Sequence, residues 1–230
     1  MNRLRTLAGL LVLAAGCPAF AVTADEVLAK MDRSALKFKT MTADFARIEY
    51  TAVIKDTSED DGKIALLRKN FKDVHFRIDF QRPEEKSVDY ADHKMQVYLP
   101  KANTVQVYEF GKQGKAVDEY LVLLLGFGTP GSELKKSYKV TVVGEGEHNG
   151  KPGIHLELVP LAREAQKQLK MLDLWVDAAD AYPMEQKLVL PSGDTKAFRY
   201  TNVKINPALS DDQVRLKLPK TVHKENPQKG

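Results

Sequence analysis

The stretch Met41-Thr42-Ala43-Asp44-Phe45-Ala46-Arg47-Ile48-Glu49-Tyr50-Thr51-Ala52-Val53-Ile54 decides the fold. Its apolar residues recur at every second position, first at Met41, Ala43 and Phe45, then at Ile48, Tyr50, Ala52 and Ile54. A period of two belongs to an extended strand with one face on a core. The change of parity after Phe45 predicts a bulge or sharp bend inside one long strand. The polar run 56–62 then reads as a solvated hairpin loop.

The same alternation continues downstream. It marks Ile64 to Arg68; Val74, Phe76, Ile78 and Phe80; Met95, Val97 and Leu99; and Val105 and Val107, with turn signals at Pro83, Asp92 and Pro100. It resumes at Tyr138, Val140 and Val142 and runs through Ile154 to Leu158, Leu172 to Val176, Met184 to Leu190, 197–203 and Val214 to Leu218. Upstream, Thr23 and Glu26 make a capping box. Val27, Leu28, Met31, Ala35 and Phe38 follow at helical spacing, so one helix precedes the first strand. In the middle, Asp118 and Glu119 introduce Tyr120, Leu121, Leu124 and Leu125, and Gly126, Phe127 and Gly128 close the segment. Acidic start and glycine end suit a helix, and one so apolar must be nearly buried. The expectation is a mainly β fold with α. One curved antiparallel sheet of about 10–11 strands forms an unclosed β-barrel with helices against its open side.

Composition removes several function classes. The chain has 230 residues, 35 basic and 31 acidic, and 43% of it is hydrophobic. That is too apolar and too balanced for a disordered chain. A net charge of +4 without a basic stripe argues against nucleic acid as a partner. A single cysteine, Cys17, supports neither an internal disulfide nor a paired-thiol site. Residues 1–21 carry Arg3 and Arg5, an apolar run from Leu7 to Ala15, and a small-residue site ending at Ala21. That is the pattern of a secretory signal peptide. Ala14-Ala15-Gly16-Cys17 offers the rival reading of a lipid-anchored form. The expected organisation is a signal peptide 1–21, one domain 22–221 and a loose tail 222–230.

Catalytic motifs are missing. No nucleophile elbow, phosphate loop or dinucleotide fingerprint occurs in the sequence. His75 and His155 fall on the polar parity of expected strands and are expected to face solvent. The acidic run 56–62 fails as a calcium loop, because Gly62 falls one place late and Leu67 stands where a bidentate glutamate belongs. No cofactor is implied. The segment 120–127 can be a plain core helix or a lid over an apolar cavity. Phe45, Phe76, Ile78, Met95, Val97, Leu174, Trp175 and Met184 can correspondingly be core or cavity lining. A sheet of more than about eight strands leaves room on its inner face, and methionines adapt to varied guests.

The order of these features resembles the outer-membrane lipoprotein carrier family (LolA-like). The resemblance rests on Met41 to Phe45 after the first helix, Gly62 to Arg68, Phe76-Arg77-Ile78 before Arg82-Pro83, and the run from Tyr90 to Pro100. It continues through Leu172 to Asp177, Tyr182-Pro183 and Gly193-Asp194-Thr195. His93 stands where that family usually has glycine, and Lys69 where it usually has proline. The resemblance implies a cavity under a lid made by Tyr120, Leu121, Leu124, Leu125 and Phe127, with Arg68 as a latch on helix carbonyls. It further implies lipidated protein or lipid as cargo, inner-membrane donor and outer-membrane acceptor proteins as partners, and a periplasmic location. A lipid or lipoprotein sensor acting through a regulatory partner is the alternative on the same fold.

Overall fold

The structure, a computed structural model, describes residues 22–70, 73–114, 121 and 126–227. Helix α1, Ala24–Lys37, begins at the expected capping box: the Glu26 amide donates to Thr23 Oγ1 at 3.3 Å, and the Thr23 amide to Glu26 Oε2 at 2.8 Å. These bonds satisfy two of the open amides of the first turn. Val27, Leu28, Met31 and Ala35 form its buried stripe.

The chain then enters the sheet through β1, Thr40–Thr51; β2, Asp56–Asn70; β3, Asp73–Arg82; β4, Lys86–Ala91; β5, Lys94–Leu99; and β6, Thr104–Glu109. The short helix α2, Gly131–Ser137, leads to β7, Tyr138–His148, and β8, Lys151–Pro160. Helix α3, Arg163–Gln166, leads to β9, Met171–Asp177; β10, Pro183–Val189; and β11, Thr195–Ile205. After a 3-10 turn, Asp211–Val214, the chain reaches β12, His223–Glu225. Among the described residues one 12-stranded sheet runs β12-β6-β5-β4-β3-β2-β1-β11-β10-β9-β8-β7. The two ends do not pair, so the sheet is curved and open rather than a closed barrel.

Several details correct the sequence reading. The segment Val214 to Leu218, expected as a strand, starts at the end of the 3-10 turn and belongs to none, and β4 is a strand the sequence reading missed. The β1–β2 turn is residues 52–55, not 56–62, because β1 and β2 pair without interruption as far as Thr51 opposite Asp56. The parity change after Phe45 is not a bulge against β2. The inner face simply turns polar there: Arg47, on the face of Phe45, lies 5.4 Å from the ring centroid of buried Phe80. The irregularity in β1 sits earlier, between Thr42 and Asp44, against β11. Finally, the tail expected to be loose contains β12, parallel to β6. The Asn103 side chain anchors it by donating to the Thr221 carbonyl at 3.0 Å.

The inner face carries two packed clusters. Phe45, Ile64, Leu66, Phe76, Ile78, Phe80, Tyr90, Phe198 and Tyr200 meet Phe38, Leu121 and Phe127 in the first. In the second, Val27, Leu28 and Met31 of α1 and Leu134 of α2 meet Ile154, Leu156, Leu158, Leu172, Leu174 and Val176. The close approach of α1 and α2 requires Gly131, where a Cβ would stand 2.2 Å from the Leu28 carbonyl oxygen. Each large side chain so buried contributes on the order of 1.5–3 kcal/mol.

Candidate functional site

The site is built where α1 ends, β2 passes beneath it and the chain returns at 126–129. Arg68 of β2 follows the fully buried Leu66 on the same side of the strand. Its Nη2 donates to the Ala35 and Phe38 carbonyls, each at 2.5 Å, and its Nη1 donates to the Gly128 carbonyl at 3.1 Å. The guanidinium also lies 5.4 Å from the Phe38 ring centroid. The last carbonyls of a helix have no intrahelical donor and carry its negative end, so a cation satisfies both needs. Burial pushes the guanidinium pKa down, from a value so high that the group stays charged.

Gly128 makes the third contact possible. Its φ is +75°, and a Cβ there would lie 2.7 Å from the Phe38 ring and 2.9 Å from Arg68 Nη1. The preceding Phe127 is 2% exposed. Its ring centroid lies 6.1 Å from Phe38, 6.2 Å from Tyr182 and, edge on, 4.9 Å from Tyr200. Tyr200 continues to Phe45 at 5.7 Å, and Phe45 to Phe80 and Phe198 at 6.0 Å each. The Tyr182 hydroxyl donates to the Ser34 carbonyl at 3.1 Å. Tyr200 is buried, and that burial pushes its phenol pKa up. Gln186 Nε2 donates to the Tyr200 hydroxyl at 3.4 Å.

A cavity of about 510 Å³ lies on the other half of the inner face. Tyr138, Leu172, Gln186 and Leu188 form its inner wall, while Pro160, Ala165, Leu169, Leu190 and Lys196 form its rim. The volume falls within the roughly 300–1,000 Å³ of small-molecule sites.

The expected lining residues divide. Phe45, Phe76, Ile78, Leu121 and Phe127 share the first cluster, with Met95 packed at its margin. Val97 is half-buried on β5 and joins neither cluster. Leu174 belongs to the second cluster, beneath α1. Met184 is buried where β10 departs from register with β9, and lines a cleft of about 220 Å³ of mixed polarity with Asp177, Asp180, Asn202, Val203 and Ile205. Trp175 does not face the interior. It stands on the outer face, opposite in pleat to Leu174, stacked between His148 at 4.5 Å and His155 at 4.6 Å. His155 thus faces outward as its parity requires and stays partly exposed, with one ring face on the indole and its Nε2 2.5 Å from Asp173 Oδ1. Tyr120, Leu124 and Leu125 lie outside the described residues. The sequence reading missed Phe38, Tyr182 and Tyr200 as partners of Phe127. The parity of Tyr200 with Phe198 was the available signal for one of them.

His75 is a second correction. It faces outward as its parity requires, yet it is buried, because the turn Asp211–Val214 folds over it. Its Nδ1 lies 2.6 Å from Asp211 Oδ1, and its Nε2 lies 3.3 Å from Asp73 and 3.5 Å from Asp92. Arg215 joins the group through Asp211 at 2.8 Å and Asp92 at 2.6 Å, and Lys69 reaches Asp211 at 3.1 Å. This cluster pins the C-terminal segment to the outside of β3.

Comparison with solved structures agrees on the fold. An uncharacterized conserved protein from Thermus thermophilus superposes with a TM-score of 0.56 at 14% identity, over 88% of this chain and 98% of that one. MucB in complex with MucA gives 0.50 at 16%, over 84% of this chain and 60% of MucB. LprF from Mycobacterium bovis gives 0.50 at 8%, over 81% and 94%. No curated protein matches the chain. The family profile described as "Outer membrane lipoprotein carrier protein LolA" matches residues 36–217, from the end of α1 to beyond the 3-10 turn. The chain belongs to the outer membrane lipoprotein carrier (LolA) family.

Proposed function

We propose that this protein is a periplasmic carrier that shields the acyl chains of lipoproteins or lipids on the inner face of its open sheet and passes them towards the outer membrane. The observation that carries the reading is the Arg68 clamp. One side chain of the sheet holds both the end of α1 and the 126–129 return, and that return places Phe127 over the aromatic wall. Family membership and the cavity of about 510 Å³ support it. Each buried methylene contributes about 0.8 kcal/mol, so one 16-carbon chain is held in a membrane by roughly 12 kcal/mol. A soluble carrier needs comparable apolar burial, and it needs a way to give that burial up. Arg68 is the latch of the closed state in this proposal, and Phe127 is the side chain a guest displaces. Phe45, Phe76, Ile78 and Leu121 are the surface it then meets. Donor and acceptor proteins at the two membranes complete the route.

Arg68→Met tests the latch. It removes the charge-assisted bonds to Ala35, Phe38 and Gly128 and should lower stability by about 1–3 kcal/mol. A ligand that binds only the open state sees its apparent affinity rise with the open fraction. The variant should therefore bind a fluorescent fatty-acid probe several-fold more tightly than the unmodified protein. Unchanged or weaker uptake by a folded variant refutes the latch.

A second reading has its own support. MucB, similar in fold, was crystallised in complex with MucA. An envelope lipid or lipoprotein sensor that acts through a protein partner would use the same interior. A partner recovered by crosslinking that dissociates when lipid is added would favour it.

A further inference from the structure

One end of the sheet bears an apolar tip. The β1–β2 turn exposes Val53 at 88% and Ile54 at 68%, side by side. The hairpin stands proud of its neighbour: β3 reaches only to Arg82, opposite Asp61, so residues 56–60 of β2 have no partner in β3. At about 3.3 Å per residue that is an overhang of roughly 16 Å. The tip is nevertheless held in place. The Ala52 amide donates to Asp194 Oδ1 at 2.8 Å, and Asp194 is in turn fixed by Ser192 Oγ at 2.8 Å. A Cβ on Gly193 would touch the Ala52 Cβ at 3.3 Å. A rigidly presented, solvated pair of β-branched side chains contributes nothing to the core.

Its surroundings say what it meets. Leu190 and Lys196, which flank the turn bracing Ala52, also form the rim of the cavity of about 510 Å³. The same rim includes Pro160, Ala165 and Leu169, with Leu161 exposed at 56% beside them. Segments 52–56, 161–170 and 190–196 carry five cations, Lys55, Arg163, Lys167, Lys170 and Lys196. Against them stand three carboxylates, Asp56, Glu164 and Asp194. Glu164 is taken by Lys167 at 2.8 Å, and Asp194 by the bonds just described. Further down the tongue Asp60 is paired with Arg47 and Lys86, Asp61 with Arg82, and Glu49 faces Lys196 at 3.7 Å. Glu59 lies three residues from Asp56, roughly 10 Å back along the strand, about one Debye length from the tip. Glu84 and Glu85 sit in the recessed turn after β3. Those pairs also neutralise Lys167 and Lys196, so the foremost surface is apolar at its point and leaves Lys55, Arg163 and Lys170 as the cations beside it, against Asp56.

We propose that this end of the molecule docks on a phospholipid bilayer, with Val53 and Ile54 inserted among the lipids and the cations beside them against phosphate headgroups. A convex point suits a deformable bilayer better than a preformed protein groove. The docking itself does not depend on the carrier reading; its purpose, to set the cavity mouth on the membrane, rests on it.

Flotation with phosphatidylethanolamine–phosphatidylglycerol vesicles tests the proposal. The unmodified protein should float, and V53D/I54D should lose at least ten-fold in partitioning with an unchanged melting temperature. V53S/I54S is a milder variant should the first fold poorly. L36D, which alters an equally exposed apolar residue on α1 (76% exposed), should float normally. Fatty-acid probe uptake in solution should be the same in all of them. Absence of flotation by the unmodified protein, retention of flotation by both tip variants, or equal loss in L36D would each overturn the proposal. So would a dimer that V53D/I54D converts to monomer without any vesicle binding, which would place a second copy on the tip. Flotation that fails while probe uptake persists sinks the docking surface alone; uptake that fails while flotation persists sinks the carrier reading alone.

Discussion

Arg68 does with one side chain what a closed barrel does with a ring of backbone bonds: it ties the cover to the sheet. The contact depends on Gly128, whose positive φ lets its carbonyl reach the guanidinium. A non-glycine residue in the left-handed region costs roughly 1–2 kcal/mol, and a methyl group here would also press on Phe38 and Arg68. Gly128→Ala should therefore destabilise the protein by about 2–4 kcal/mol in chemical denaturation, combining that strain with partial loss of the Arg68 bonds. An unchanged midpoint would mean that the 126–129 return is not fixed by the clamp. Phe127 stood out in the apolar run 120–127, whereas Arg68 was singled out only through a family resemblance, since its partners are backbone carbonyls that carry no residue identity. Trp175 was misplaced although its parity with His155, opposite it on β8, put it on the outer face. Its size outweighed its register.

At the scale of the element, the informative cases are the β1–β2 tongue and the C-terminal strap. The run 56–62 looks like a loop because residues 56–60 have no partner in β3 and no core to face, so alternation vanishes while hydrogen bonding to β1 continues. The true turn, 52–55, is apolar yet exposed, so its composition reads as strand core where there is none. The strap over His75 was unreadable for a different reason: its contacts span 136 residues, and no local pattern announces them. It makes a pH prediction. The hydrogen bond from Arg215, joined by those from His75 and Lys69, holds the Asp211 carboxyl well below the usual carboxylate range. A depressed carboxylate stabilises the fold fully above its unfolded pKa of about 3.9, and that contribution is lost as pH falls through the lower folded value. Protection from hydrogen exchange across 210–216, taken relative to the free-peptide rate at each pH, should fall below about pH 4. Asp211→Asn should exchange faster already at pH 6 and lose the acid-dependent part. Equal exchange of the two proteins at pH 6 would show that Asp211 does not hold the strap.

For the whole molecule, alternation, turn residues and one capping box were enough to read a single open antiparallel sheet with helices on one face. Two strands escaped: β4, whose run Lys86–Ala91 was not read as a strand, and the three-residue β12, which tertiary anchoring at Asn103 rather than local pattern creates. The alternation at Val214 to Leu218 produced no strand, because that segment straps the outside of β3. The interior is of two kinds. One half is filled by its own aromatic side chains around Phe127, and the other keeps a cavity of about 510 Å³. In the proposed carrier that division would provide a guest-free resting state, with Phe127 over the apolar wall as the side chain a guest replaces. The claim stands or falls on whether a guest exists. Native mass spectrometry of the protein purified from a bacterial envelope, followed by lipid extraction, answers it most directly. The account predicts a stoichiometric adduct of lipid mass that dissociates on collisional activation. A bare protein mass, with no uptake of a fatty-acid probe by either the unmodified protein or Arg68→Met, would contradict it.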